Sequence, residues 1–158
     1  MSIIYLTTEI SAPVETVFDL SRSIDLHMIS TQQTNETVEA GRTSGLCHMG
    51  DIITWRAKHL GFYQLLTVEI ARCDFPGYFE DRMIKGAFKS FTHRHYFERR
   101  QTETLMKDIL EFESPLGILG GFANHIFLKN YMRKLLLVRN EVIKTYAESG
   151  KGQILLIN

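Results

Sequence analysis

Between residues 51 and 114 the chain holds five strand-like runs with almost nothing between them. They cover 51–60, 63–73, 78–85, 89–100 and 103–114. Turn signals separate them: Gly61, Pro76-Gly77, Gly86 and the polar stretch from Arg99 to Thr102. Parallel neighbours need a long crossover, so connections this short imply an antiparallel meander. The flanks narrow the architecture further. An opening strand at 3–10 leads to Ser11-Ala12-Pro13, where Pro13 suits the first turn of a helix and Glu15 its N-terminus. Val14, Val17, Phe18 and Leu20 give that short helix a buried side. A second short helix at 24–29 and a strand near 35–40 follow. Beyond Pro115 and a bend at 116–121, residues 123–147 read as one long amphipathic helix. Leu128, Tyr131, Leu135, Val138, Val142 and Tyr146 stand at helical spacing, and Lys129, Arg133, Lys134, Arg139 and Lys144 fall largely on the other sides. The fold class is therefore α+β. A single long helix laid across a strongly curved antiparallel sheet encloses space between the two.

A chain of 158 residues suffices for one domain with a proper core, expected over 1–150, and a tail at 151–158. Lys+Arg 18 against Asp+Glu 18 leaves no net charge and hence no basic footprint for nucleic acid. No apolar run approaches the roughly 18 residues that span a membrane. Cys47 and Cys73 match no metal or redox spacing. Free thiols and an N-terminus that reads as a strand rather than a signal peptide point to the cytoplasm.

The segment from Phe79 to Phe97 carries the most chemistry. Period-two alternation in its second half sends Phe91, His93, His95 and Phe97 to one side and Thr92, Arg94 and Tyr96 to the other. The second set suits a solvated face, so the histidines point inward. Burying imidazole without a partner is unfavourable, which implies a cavity with polar groups in its wall. Pairing across the Gly86 turn sets Asp81 opposite His93 and Phe79 opposite His95. A two-residue loop at Gln101-Thr102 sets His95 opposite Asp108 and Phe97 opposite Met106. Opposed side chains have Cβ atoms roughly 4.5–5.5 Å apart. That registers two imidazoles between two carboxylates, with contacts expected from Asp81 to His93 and from Asp108 to His95. Trp55, Ala57 and His59 form another apolar-biased face on the preceding strand, with Arg56 and Lys58 opposite.

In this order of elements the chain resembles the START-like (SRPBCC) superfamily, whose fold is the helix grip. Four pieces are similar to a bacterial branch of ligand-binding or cyclase/dehydrase-like proteins. They are Gly50-Asp51-Ile52-Ile53-Thr54-Trp55, Phe79-Glu80-Asp81 up to Gly86, Phe91-Thr92-His93-Arg94-His95-Tyr96-Phe97, and Asp108 leading to Pro115-Leu116-Gly117 and Gly120. The resemblance implies a hydrophobic pocket between sheet and helix that binds a lipid, a polyketide or a similar small molecule. Some relatives catalyse cyclisation or dehydration there, and others bind protein partners. Fold alone gives a class and not a substrate.

Three readings of the His/Asp cluster stand side by side. It is a satisfied polar network that fixes register and one wall of a pocket. Alternatively His93 or His95, oriented by Asp81 or Asp108, acts as general acid or base. The third is a metal site from both histidines and an acid. The reading carried forward is the binding of a hydrophobic small molecule without metal or cofactor. Its expected wall is Trp55, His59, Phe79, Asp81, Phe91, His93, His95, Phe97, Met106, Asp108, Leu110 and Phe112. A cyclase or dehydratase is the first alternative and a protein-interaction module the second, with a homodimer possible.

Weaker signals are read blandly. The glycines of 117–121 lack the Lys-Ser/Thr of a P-loop and mark a bend. Residues 41–50 form a mobile lid with Cys47 as a small residue, and Arg72 faces inward with Leu66, Val68 and Ile70. The apolar tail 153–158 either adds a strand to a neighbour or is disordered.

Overall fold

The computed structural model describes residues 1–114 and 121–157, for 121–125 as backbone only. The expected stop at Pro115 and the bend over 116–120 lie outside the described residues. The element order is β1 (Ser2–Ile10), α1 (Val14–Ser21), α2 (Ile24–Ser30), a 3-10 turn (Gln32–Thr34), then β2 (Thr37–Ala40). β3 (Ile52–His59), β4 (Phe62–Asp74), β5 (Tyr78–Gly86), β6 (Ser90–Arg100), β7 (Glu103–Glu113), α3 (Gly121–Glu148) and α4 (Gln153–Leu156) complete it. No helix among the described residues is long and apolar enough to cross a membrane.

The seven strands form one antiparallel sheet in the order β1-β7-β6-β5-β4-β3-β2. Two-residue loops make its tightest turns. His59 pairs with Phe62 around Leu60 and Gly61, both at positive φ, and Arg100 pairs with Glu103 around Gln101. Irregularities at Glu39 in β2, Ala71 in β4 and Ile84 in β5 break the ladder, and such bulges bend a strand and increase its twist. One of them corrects an expectation. The shift between Ile70 and Arg72 reverses the alternation, so Cys73 packs toward the core. Arg72 is exposed and ion-paired to Asp74 at 3.4 Å.

The long helix packs on β1 and against α1 and α2, but its buried stripe is rotated from the expected one. Leu136, Arg139, Asn140, Ile143 and Ala147 are buried, whereas Val138 is 38% exposed. Leu135, Leu136, Leu137 and Val138 are apolar on consecutive positions, so hydrophobicity alone leaves the helix phase open there. Polar partners decide it, because Arg139 finds acceptors inside.

The buried apolar side chains fall into three clusters. One gathers Ile10, Val17, Phe18, Phe79, Phe97, Met106 and Ile143, with Phe18 edge-on to Phe79 and Phe97 at 5.7 and 5.2 Å. A second holds Ile4, Leu6, Phe91, Leu110, Phe112 and Leu136. The third holds Ile24, Cys47, Ile53, Trp55, Val68 and Ile70. Each fully buried large side chain stabilises by roughly 1.5–3 kcal/mol. The tail belongs to the first cluster. Leu155 and Leu156 pack against it, and a Cβ at Gly152 would stand 2.7 Å from Leu20 Cδ1, so the chain folds back closely on α1. Within this chain the tail is a short docked helix rather than a strand or a disordered end.

Candidate functional site

A cavity of about 480 Å³ lies between the sheet and α3, walled mainly by members of the second and third clusters, with Phe79 of the first. Of the residues expected around it, Trp55, His59, Phe79, Asp81, Phe91, His93, His95 and Leu110 line it. Phe97 and Met106 do not, because they are consumed in packing against Phe18 and α1. Phe112 packs with Ile4 and Leu6, and Asp108 is fully buried beside the two imidazoles. These four are corrections to the expected wall.

The strand registers are as expected: Asp81 opposite His93, Phe79 opposite His95, His95 opposite Asp108 and Phe97 opposite Met106. The hydrogen bonds cross these pairs. His93 Nε2 donates to Asp108 Oδ1 at 3.0 Å, and His95 Nε2 donates to Asp81 Oδ1 at 3.1 Å. An imidazole is too long to point its far nitrogen at a directly opposed carboxylate, so each ring leans along its strand to the diagonal neighbour. The expected contact from Asp108 to His95 is present as a close approach, with His95 Nδ1 2.9 Å from Asp108 Oδ1 but off the line of a hydrogen bond. Phe79 stacks on His95 at 4.0 Å, and the two imidazoles lie 3.8 Å apart.

The helix completes this network with two side chains that the sequence pattern had not brought inward. Asn140 Nδ2 donates to Asp108 Oδ2 at 2.7 Å and to Thr8 Oγ1 at 3.2 Å. Arg139 donates to the Ser21 carbonyl at 3.0 Å and to Asn140 Oδ1 at 3.2 Å, and stands 3.7 Å from Asp108. Burial pushes His93 down to about 4, helped by His95 and opposed by its bond to Asp108. The ring is therefore neutral near pH 7, with its proton on Nε2. For Asp108, burial acts to raise the pKa and is the largest effect. The bond from His93 and the proximity of His95 outweigh it and hold the acid well below its usual range. Asp81 behaves likewise, burial being overcome by the bond from His95.

Asp81, His93 and His95 also each offer one ligand atom within 4.8 Å of the others. Both Nε2 atoms already serve carboxylates, so a cation would have to displace those bonds. Cys47 lines the cavity, and burial pushes its thiol up to about 12, so it stays protonated near neutral pH. The loop over 41–50 is sewn to the end of α1 and the start of α2 rather than hanging free as a lid. Gly45 O accepts from Ile24, Cys47 N–H donates to Arg22 O, and Gly45 N–H donates to Asp25.

A second polar group in the wall joins the expected His59 and Trp55, and Tyr131 of the helix stripe, to Glu36 and His27, which the sequence reading did not bring inward. Glu36, at the irregular entry to β2, stands 3.2 Å from His27 Nε2, and the His27 ring lies 4.3 Å from Trp55. His59 Nδ1 meets the Tyr131 hydroxyl at 2.9 Å. All five residues line the cavity. His27 lies in the short helix α2 and Glu36 immediately before β2, elements of only seven and four residues, too short for the sequence to bring the two side chains together.

No protein-family model matches the chain, and no curated protein matches it in sequence. Solved structures do match in three dimensions. A START superfamily protein from Mycobacterium smegmatis aligns over 93% of this chain and 97% of its own, with a TM-score of 0.71 at 13% identity. A protein from Thermus thermophilus aligns over 90% and 97%, with a TM-score of 0.67 at 17% identity. The ginseng major latex-like protein 151 from Panax ginseng aligns over 92% and 97%, with a TM-score of 0.65 at 14% identity. With the curved seven-stranded sheet and its long C-terminal helix, these likenesses define the fold as a START-like helix grip.

Proposed function

We propose that this chain binds a hydrophobic small molecule, lipid-like or polyketide-like, in the cavity between sheet and helix. The observation that carries the reading is the cavity itself. About 480 Å³ is bounded mainly by aromatic and aliphatic side chains, with a few polar groups converging on it. Small-molecule sites are commonly built this way. The site residues in this reading are Trp55, Phe91 and Leu110 for the apolar body and Asp81, His93, His95 and His59 for polar groups. Asp108 acts behind them as a positioning residue. A cytoplasmic setting accords with the free thiols of Cys47 and Cys73.

The cyclase or dehydratase alternative rests on a single ring. His93, pushed down to about 4, is a weak base near neutral pH, so proton transfer would fall to His95, held by carboxylates on two sides. Native mass spectrometry of the freshly purified protein tests the main reading. A co-purifying apolar molecule at up to one per chain, released by organic solvent, is the expected result. Stoichiometric zinc or iron in place of such a molecule would contradict it and favour the metal reading of the cluster.

A further inference from the structure

The charged groups around the cavity do not balance evenly, and the imbalance specifies a ligand chemistry. Four charged side chains line it: Arg22, Glu36, Asp81 and Arg139. Both arginines are answered by carboxylates outside the wall. Arg22 donates through Nε and one terminal nitrogen to Asp19, at 2.9 and 2.8 Å, and through the other to the Cys47 carbonyl. Arg139 is committed to Ser21, Asn140 and Asp108. Glu36 and Asp81 instead face imidazoles, and no lysine lines the cavity among the described residues. An apolar ligand ending in a carboxylate would meet two acids and no uncommitted cation.

The two acids are not equivalent. Asp81 accepts an aligned hydrogen bond from His95 and lies beside Phe79 and the second imidazole. Glu36 has His27 Nε2 at 3.2 Å, but that nitrogen is off the line of a hydrogen bond and has no other hydrogen-bond partner among the described residues. The Glu36 side chain is 14% exposed. The Thr31 hydroxyl also interacts with this carboxylate, and since a carboxylate offers about four lone-pair sites it still retains acceptor capacity toward the cavity. Trp55, under the His27 ring, lines the same end and offers an apolar wall to the methylenes next to a head group. Partly desolvated charges interact more strongly than charges in water, which sharpens discrimination between head groups at this end.

We propose that the ligand carries a protonated amine, received by Glu36 beside Trp55 and His27, with its apolar body running toward Phe91 and Leu110. This rests on the ligand-binding reading above and adds the class of head group. The test displaces the neutral fluorophore Nile red from the full-length chain with three compounds of one chain length, dodecylamine, dodecan-1-ol and dodecanoate, all below their aggregation limits at pH 7. The amine is expected to compete best and the carboxylate worst, with a gap of about tenfold or more between them. Glu36→Gln is expected to shrink the amine-to-carboxylate ratio to within about twofold, whereas Glu39→Gln, exposed on β2 and outside the wall, leaves it unchanged. A carboxylate that competes as well as the amine in the native chain overturns the proposal, whatever the variants do. So does a preference that survives Glu36→Gln and disappears in Asp81→Asn, which would put the head group at the other acid. A native chain that binds neither Nile red nor any of the three compounds overturns the ligand-binding reading itself.

Discussion

At the scale of single residues the molecule is organised around Asp108, a fully buried carboxylate with His93 and Asn140 as hydrogen-bond donors. Removing it strands those donors in the interior. Asp108→Ala is expected to lower unfolding stability by about 1–3 kcal/mol per stranded group, read from urea midpoints, and an unchanged midpoint would contradict the network. His93 supplies a pH signature. Its folded pKa of about 4 lies below the ordinary 6.5, so between those values the unfolded chain binds more protons than the folded one. Stability therefore rises with pH through that window, is complete above about 6.5, and is lost as pH falls toward 4. At about 1.4 kcal/mol per unit, His93 accounts for roughly 3 kcal/mol of that change. Below that window Asp81 and Asp108, both held low, continue the loss as they protonate. Denaturant melts at stepped pH should show a shallower slope between pH 4 and 6.5 for His93→Gln. An identical slope would mean that His93 is protonated in the folded state.

Among the elements, β5, β6 and β7 meet in the register their hairpin loops dictate, and that register was legible because loop length fixes parity. The crossing of the His–Asp bonds was not legible, since it depends on how far an imidazole reaches. Arg72 was misplaced because a bulge costs one residue of alternation and leaves no mark in composition. The phase of α3 escaped for a related reason. Four consecutive apolar positions allow several stripes, and the one adopted is selected by Arg139 and Asn140 reaching polar partners under the helix. Asn140→Leu tests that selection. It removes the donors to Asp108 and Thr8, and an expected loss of about 1–3 kcal/mol in chemical denaturation would identify the polar seam as what fixes the helix. A stabilised variant would show that apolar packing alone sets its phase. The tail offers a second measurement at this scale. Deleting residues 151–158 uncovers Leu20 and removes Leu155 and Leu156 from the first cluster, so the thermal midpoint should fall by several degrees. No change would mean that α4 does not contribute to the core.

Taken as a whole, the molecule divides its apolar interior into three clusters and leaves a cavity bordered by members of all three. A chain selected only for stability would merge them, because close-packed interiors are favoured over voids. The retained space, with Asp81, His95, Glu36 and His59 in its wall, is the basis for reading this helix grip as a container. Filling the space tests that reading most directly. Ala57 lines the cavity and is 5% exposed, so Ala57→Trp directs an indole into the space from β3. Nile red titrations of the native chain and of this variant, run beside thermal melts, form the comparison. The account predicts saturable binding at one site in the native chain and its loss in Ala57→Trp while a cooperative melt is retained. Equal binding by both folded proteins would place the dye elsewhere and contradict the internal cavity as the binding site.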